Sequence, residues 1–247
     1  MDIVFTATIA FVIAGFIKGV LGFGFPIIAL SVLTLVIGLF DALAIVVVPT
    51  LIINVWQALS GPYLKEIFHR MWIYFAMAIM GILFASQYLK VVNVSWLTSL
   101  LGLILFMFAL SRLFGLQIRV PHSKEPLISM VLGSVNGVLT GFTGSVMVPS
   151  VLYMQALGFG KDMLVQTMAV FFGLSTLVFI TSLGRNGLIA TDEAVMSTIA
   201  LVPSFAGIIA GRQVRNHIDE VEFQKIFLIG MLCLGLYILL QSFSALL

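Results

Sequence analysis

Long, uninterrupted apolar runs dominate this chain and limit the folds that it can adopt. Several runs approach 20 residues, the length of helix that crosses the roughly 30 Å hydrocarbon core of a bilayer. Only 9% of the residues are charged, whereas a soluble domain carries about 25%. The sequence therefore predicts an all-α polytopic membrane protein with ten apolar segments: 3–20, 24–39, 42–60, 71–89, 95–114, 127–140, 144–158, 162–183, 193–211 and 224–246.

Three of these runs are short for a complete crossing, namely 24–39, 127–140 and 144–158. A 14-residue helix covers only about 21 Å. We therefore expect the short runs to form half-length helices that meet at tips inside the membrane. Such exposed backbone is tolerated only where protein or a water-filled cavity surrounds it.

The basic residues of the loops are distributed unequally between the two sides of the membrane. If the segments alternate in direction, one side receives nine basic residues and the other receives only Lys90 and Arg185. Since cytoplasmic loops carry the excess of Lys and Arg, the first side is predicted to be cytoplasmic and both termini extracytoplasmic. The nine residues are Lys65, Arg70, Arg112, Arg119, Lys124, Lys161, Arg212, Arg215 and Lys225.

The chain contains an internal repeat with a shift of 118 residues. The sequence GFIKGVL at 15–21 aligns with GSVNGVL at 133–139, and the later runs also correspond. Each half, 1–118 and 119–247, holds five segments, and an odd number inverts the second copy relative to the first. We therefore predict an inverted-topology repeat of two five-segment halves, each beginning with a broken helical hairpin, as in many secondary transporters. The alternative is chance similarity between glycine-rich membrane helices.

The first predicted tip follows a lysine that lies within an apolar run. Gly22 and Gly24 permit a sharp turn, and Pro26 suits the first turn of the next helix. The N-terminus of that helix offers free N–H groups to an anion. A lysine in hydrocarbon is costly and is by default functional, so we predict that Lys18 binds an anion. The alternative is that Lys18 snorkels to the cytoplasmic interface.

The second predicted tip adds side-chain hydroxyls to the same arrangement. Gly141 and Gly144 are predicted to make the turn, and Asn136 aligns with Lys18. The two tips should meet at the membrane midplane around one bound solute. The predicted substrate contacts are Lys18, Gly22, Gly24, Asn136, Thr140, Gly141, Thr143, Gly144 and Ser145, with Asn54 and Gln166 from neighbouring helices. For Asn54 and Gln166 the alternative is a role in joining helices.

The absent residue types narrow the function. No Asp or Glu lies clearly within a run, although cation and proton carriers usually place carboxylates in the path. A buried lysine without carboxylates favours an anion as the solute. No catalytic motif, cofactor motif or metal-ligand spacing occurs, so the chain is predicted not to be an enzyme. A net charge of +2 gives no reason to expect a nucleic-acid partner.

The two tip sequences, GFIKGVLGFGFPIIALSVL and GSVNGVLTGFTGSVMVPSVL, resemble the TauE/SafE family of sulfite exporters over essentially the whole chain. The chain departs from the family pattern at Ser31, where a proline is expected, and at Thr143 and Ser145, where glycines are common. The resemblance implies a transporter of sulfite or organosulfur anions, chiefly outward, across the cytoplasmic (inner) membrane.

Several alternatives stay open at this point. An anion channel of the same architecture, a carrier of another small oxyanion and a non-transporting scaffold are all compatible with the residues. The expected partners are a small anion and the lipid bilayer. The apolar faces permit a homodimer, but nothing in the sequence requires one.

Overall fold

A computed structural model describes residues 3–115, 119–147, 149–187, 191–214, 217 and 220–244, and in these residues every regular element is helical. A single 3-10 turn, His122–Lys124, precedes α6. The α-helices are α1 Ile3–Leu21, α2 Phe25–Ile37, α3 Leu39–Leu59, α4 Leu64–Ser86, α5 Val94–Leu113, α6 Glu125–Thr143, α7 Ser150–Ala156, α8 Lys161–Arg185, α9 Thr191–Ile199, α10 Leu201–Val214 and α11 Glu220–Ser244.

The helix lengths confirm a multi-pass membrane protein. Within the described residues, seven segments are long and apolar enough to cross a membrane, and α1 and α2 are shorter apolar helices. The half-length helix predicted for 127–140 is wrong in length, because the helical segment His122–Thr143 has 22 residues. Its return segment is shorter than predicted, since α7 has only seven residues. Arg215, one of the predicted cytoplasmic residues, lies outside the described residues.

The helices cluster into two compact units. Unit 1 comprises 1–49, 93–116 and 189–247, and unit 2 comprises 50–92 and 117–188. Each unit thus draws segments from both sides of residue 118, which itself lies outside the described residues. The division of the sequence into repeats of 1–118 and 119–247 is a different partition and stays a prediction.

In unit 1, α1 and α10 approach each other through glycines spaced four residues apart. A Cβ on Gly15 would meet the backbone of Ser204 and Ile208, and one on Gly19 would meet Ile208 and Gly211. The contacts advance along both helices in the same direction, so the two helices are parallel. Small residues with this spacing allow membrane helices to pack backbone against backbone.

In unit 2, α4 and α6 pack in the same way. A Cβ on Gly137 would lie 2.9 Å from the Cα of Ala78, and one on Gly81 would lie 2.9 Å from the Cα of Gly137. Gly133 faces Tyr74 one turn earlier, and Gly141 faces Ala85. This pair of helices is therefore also parallel, and the glycines of both repeat motifs are packing positions.

The third close pair, α5 and α11 in unit 1, is antiparallel. Gly102 lies against Gly235, whereas Arg112, ten residues later on α5, shares a cleft with Lys225, ten residues earlier on α11. Residue numbers rise along α5 while those of its contacts on α11 fall, so the two helices run in opposite directions.

A proline in α3 is accommodated by a serine from the second half of the chain. Pro49 has no N–H for the carbonyl of Ile45, four residues earlier. Ser197 Oγ, which is fully buried, donates to that carbonyl at 2.6 Å and accepts from the Val48 N–H at 3.3 Å. The serine thus replaces the hydrogen bond that the proline removes.

Candidate functional site

The first predicted tip is a helix break, as expected. Gly22 and Gly24 have φ angles of 83° and 99°, in the left-handed region that glycine tolerates best. The Gly22 N–H donates to the Lys18 carbonyl at 2.8 Å, which closes α1, and Gly24 caps the start of α2. The turn predicted from these two glycines is confirmed.

Lys18 lies one turn before this break and is buried, with only 5% of its surface exposed. The guanidinium of Arg212 on α10 lies within electrostatic range of it, because Gly19 brings α1 against the backbone of Arg212. Helix α11 lies over the break, and the ring of Phe227 is 3.6 Å from the position of a Cβ on Gly24. The Lys18 side chain is therefore buried inside unit 1, beside a turn whose glycines have left-handed backbone geometry.

The second break lies at the end of α6. Gly144 has a φ of 69° and its N–H donates to the Thr140 carbonyl at 2.8 Å. Residues 145–147 are not helical, and α7 begins only at Ser150. Gly141, which was predicted to share in the turn, is instead a helical packing residue against Ala85. Of these two glycines, only Gly144 has the positive φ of a turn.

Buried polar side chains surround the unwound stretch after Gly144. Asn136 Nδ2 donates to the Val146 carbonyl at 3.4 Å, and Thr140 Oγ1 donates to the Ser145 carbonyl at 3.1 Å. Ser150 Oγ also donates to the Val146 carbonyl. Thr143 Oγ1 accepts from the Ser145 N–H at 3.2 Å. The carbonyls of Ser145 and Val146, which helix formation would normally satisfy, thus have side-chain donors.

The hydroxyl of Ser145 is the uncommitted group of this cluster. Its Oγ is buried and has no hydrogen-bond partner in the described part of the chain, and the residue is only 2% exposed. A buried polar atom without a partner is costly and requires an explanation. With the neighbouring carbonyls already occupied, the cluster offers an additional ligand a hydroxyl donor.

Side chains from three helices hold the return segment in place. Tyr153 on α7 donates to the Glu125 carbonyl at 3.3 Å and pairs with Ser129 at 2.6 Å. Arg70 on α4 binds the Glu125 carboxylate through two nitrogens, at 2.6 and 3.0 Å, and donates to the Leu157 carbonyl at 3.2 Å. This network anchors α7 to α4 and α6. It therefore fixes the unwound stretch that joins α6 to α7.

The two remaining predicted substrate contacts, Gln166 and Asn54, make hydrogen bonds to backbone carbonyls outside the two breaks. Gln166 donates to the carbonyls of Ala58 and Gly61 at 2.8 and 2.7 Å and accepts from the Tyr63 N–H at 2.9 Å. Its amide therefore ties the α3–α4 loop to α8. Asn54 is fully buried and donates to the Thr50 carbonyl of its own helix at 2.8 Å.

Sequence reasoning missed the residues that support the second break. Ser150 and Tyr153 had a recognisable signal, since both are polar positions in a short apolar segment directly after Pro149. The pairing of Arg70 with Glu125 had none, because 55 residues separate them.

A family model described as "Sulfite exporter TauE/SafE" matches residues 7–238, which is nearly the whole chain and includes both breaks. No match was found among curated proteins or among solved structures.

Proposed function

The chain belongs to the TauE/SafE family of sulfite exporters, and we propose that it is a secondary transporter that carries sulfite or a small organosulfur anion across the cytoplasmic membrane. The observation that carries this proposal is the buried break at Gly144, with its uncommitted Ser145 hydroxyl. Discontinuous membrane helices are where secondary transporters bind their solutes.

The chemistry of this break suits an anion better than a cation. A cation would require carbonyl oxygens, but donors from Asn136, Thr140 and Ser150 already bind the carbonyls of Ser145 and Val146. An oxyanion requires donors, and the Ser145 hydroxyl is one. We propose that it donates to an oxygen of the bound anion, while Asn136 and Thr140 keep the segment unwound.

Lys18 supports the same conclusion from the first break. Ionisable residues within membrane segments are rare and usually functional, and Lys18 is buried one turn before a helix break. We propose that Lys18 supplies positive charge to the transported anion.

The helix directions support the inverted repeat. The shift of 118 residues makes α1 equivalent to α6, and α4 and α10 share a glycine motif at Gly81 and Gly207. In an inverted repeat whose segments alternate in direction, the first segment of each half (α1 or α6) runs parallel to the fourth segment of the other half (α10 or α4). The fifth segments, α5 and α11, run antiparallel. The pairs α1–α10, α4–α6 and α5–α11 have these directions. We propose this topology in the inner membrane, with both termini extracytoplasmic.

The test is sulfite flux into proteoliposomes that contain the Ser145→Ala variant. Hydrogen bonds to charged groups contribute about 1.5–3 kcal/mol, so KM for the anion should rise about tenfold or more. Stability should change little, because the hydroxyl has no protein partner in the described residues. The control is Ser182→Ala, another buried serine of unit 2, whose hydroxyl bonds only the Val178 carbonyl of its own helix.

An unchanged KM for Ser145→Ala would contradict the assigned contact. Absence of flux of any sulfur oxyanion from the wild-type protein would contradict transport itself. Single-channel currents in planar bilayers, far above the turnover of a carrier, would replace the carrier with an anion channel.

A further inference from the structure

A second serine hydroxyl of unit 2, that of Ser175 on α8, is buried without a partner. The residue is completely buried, and its Oγ makes no hydrogen bond within the described part of the chain. A serine inside a helix can bond the carbonyl four residues earlier, as Ser182 does on the same helix. Because a buried polar atom without a partner is costly, the Ser175 hydroxyl requires an explanation, as that of Ser145 does.

Ser175 lies on the face of α8 that packs against α4. Phe171, four residues earlier and so on the same face, has its ring 5.1 Å from the ring of Tyr74 on α4. Asn186, about three turns after Ser175, donates to the Ser86 carbonyl at the end of α4 at 3.1 Å. The two contacts advance along both helices together, so α4 and α8 are parallel, and Ser175 lies one turn beyond the contact with Tyr74.

Helix α4 also packs against α6, so it relates the depth of Ser175 to that of the second break. Gly133 on α6 faces Tyr74, and Gly137, one turn later, faces Ala78. Ser175, one turn beyond Tyr74 along α8, is therefore level with Ala78 and Gly137.

The unwound stretch of the second break lies at this same depth. Asn136, next to Gly137, donates to the Val146 carbonyl at 3.4 Å. Thr140, one turn later on α6, donates to the Ser145 carbonyl at 3.1 Å. The stretch therefore lies between the level of Gly137 and the next turn of α6.

The return helix α7 brings this stretch to the side of α4 where α8 lies. The ring of Tyr74 is 5.2 Å from that of Tyr153 on α7 and 5.1 Å from that of Phe171 on α8. Two separate elements, the break and α8, thus hold the unpartnered hydroxyls of Ser145 and Ser175 at similar depths in unit 2.

We infer that the Ser175 hydroxyl donates a hydrogen bond to the transported anion from α8, while the Ser145 hydroxyl donates from the break. This inference rests on the proposed function, since it takes the second break as the anion site. A sulfite ion or a sulfonate group can accept from both serines, because its oxygens point in different directions from one sulfur atom.

Equilibrium binding of radiolabelled sulfite, and in parallel of radiolabelled methanesulfonate, to the purified full chain in micelles tests this inference. For Ser175→Ala we expect Kd to rise about tenfold or more, the loss of one hydrogen bond to a charged group. Without the anion, the same variant should resist denaturant at least as well as the wild type. The reason is that it loses no protein hydrogen bond and no longer buries a bare hydroxyl.

The matched control is Ser182→Ala, seven residues later on the same face of α8. This variant loses the bond to the Val178 carbonyl and should keep the wild-type Kd. Ser175→Cys retains a side chain of similar size with a weaker donor and should give an intermediate Kd, so the test does not depend on one variant.

The possible failures are distinguishable. If the wild type binds either anion and Kd is unchanged in both Ser175→Ala and Ser175→Cys, the inference is wrong and the proposed function stands. Lower stability of Ser175→Ala with an unchanged Kd would assign the hydroxyl to the fold and would also overturn the inference. A wild type that binds neither anion would contradict the proposed function, and this inference with it.

Discussion

Substitution of Gly137 by alanine tests the closest helix contact in unit 2. A Cβ at this position would lie closest to the carbonyl oxygen of Ala78, and 2.9 Å from both the Cα and the carbonyl carbon of the same residue. Carbon atoms pack best at about 3.5–4.0 Å, so α4 and α6 would have to separate by about 0.6 Å or more. The obstacle is backbone, which no rotamer change can remove.

The expected cost follows from two opposing effects. Overpacking of this kind costs about 1–3 kcal/mol, while alanine gains about 0.8–1.0 kcal/mol over glycine within a helix. Gly230→Ala is the matched control, because Gly230 lies within α11 and a Cβ there meets nothing within 4 Å. Gly230→Ala gains helix propensity without a steric clash. The free energies of unfolding of the two variants should therefore differ by the packing cost of about 1–3 kcal/mol.

The measurement is equilibrium unfolding of the wild type and both variants in mixed micelles, followed by tryptophan fluorescence. Gly137→Ala should unfold at a lower denaturant concentration than Gly230→Ala. If the two free energies of unfolding agree within about 0.5 kcal/mol, well below the overpacking cost, α4 and α6 do not pack at the distance described here.

Three further changes test other parts of the structure. Lys18→Arg should retain anion flux in proteoliposomes and Lys18→Gln should lose most of it; equal flux would contradict a role for positive charge. Arg70→Lys removes the two-nitrogen contact with Glu125 and should destabilise the protein by about 1 kcal/mol, the upper end of the range for ion pairs near a protein surface, in the same unfolding assay. Ser197→Ala should cost about 1–3 kcal/mol, since it leaves a buried carbonyl without its donor. The cost should shrink in a Pro49→Ala background, because the new N–H can bond the Ile45 carbonyl.

The apolar segments and the first break were predictable from sequence because their signals are local. A run of about 20 apolar residues has few alternatives to a membrane helix, and Gly22, Gly24 and Pro26 together indicate a stop followed by a start. The hydrogen bond of Ser197 to Ile45 could not be predicted, since 152 residues separate the partners. The same holds for the bonds of Gln166 to Ala58, Gly61 and Tyr63, since 103 to 108 residues separate these partners.

The glycines explain why the second break was placed too early. A helix-packing glycine and a turn glycine are both selected for the missing Cβ, so composition alone does not separate Gly141 from Gly144. Spacing does separate them: Gly133, Gly137 and Gly141 recur every four residues and so lie on one helix face, whereas Gly144 is three residues on and is followed by Pro149. The glycines spaced four residues apart therefore make the contact with α4. Gly144 is the first glycine outside that spacing, and it is the one with positive φ. The same rule assigns Gly15 and Gly19 to the contact with α10 and leaves Gly22 and Gly24 for the turn, as observed. In both halves of the chain, then, one motif encodes a helix-packing face followed by a break, and the point where the four-residue spacing ends marks where the helix stops.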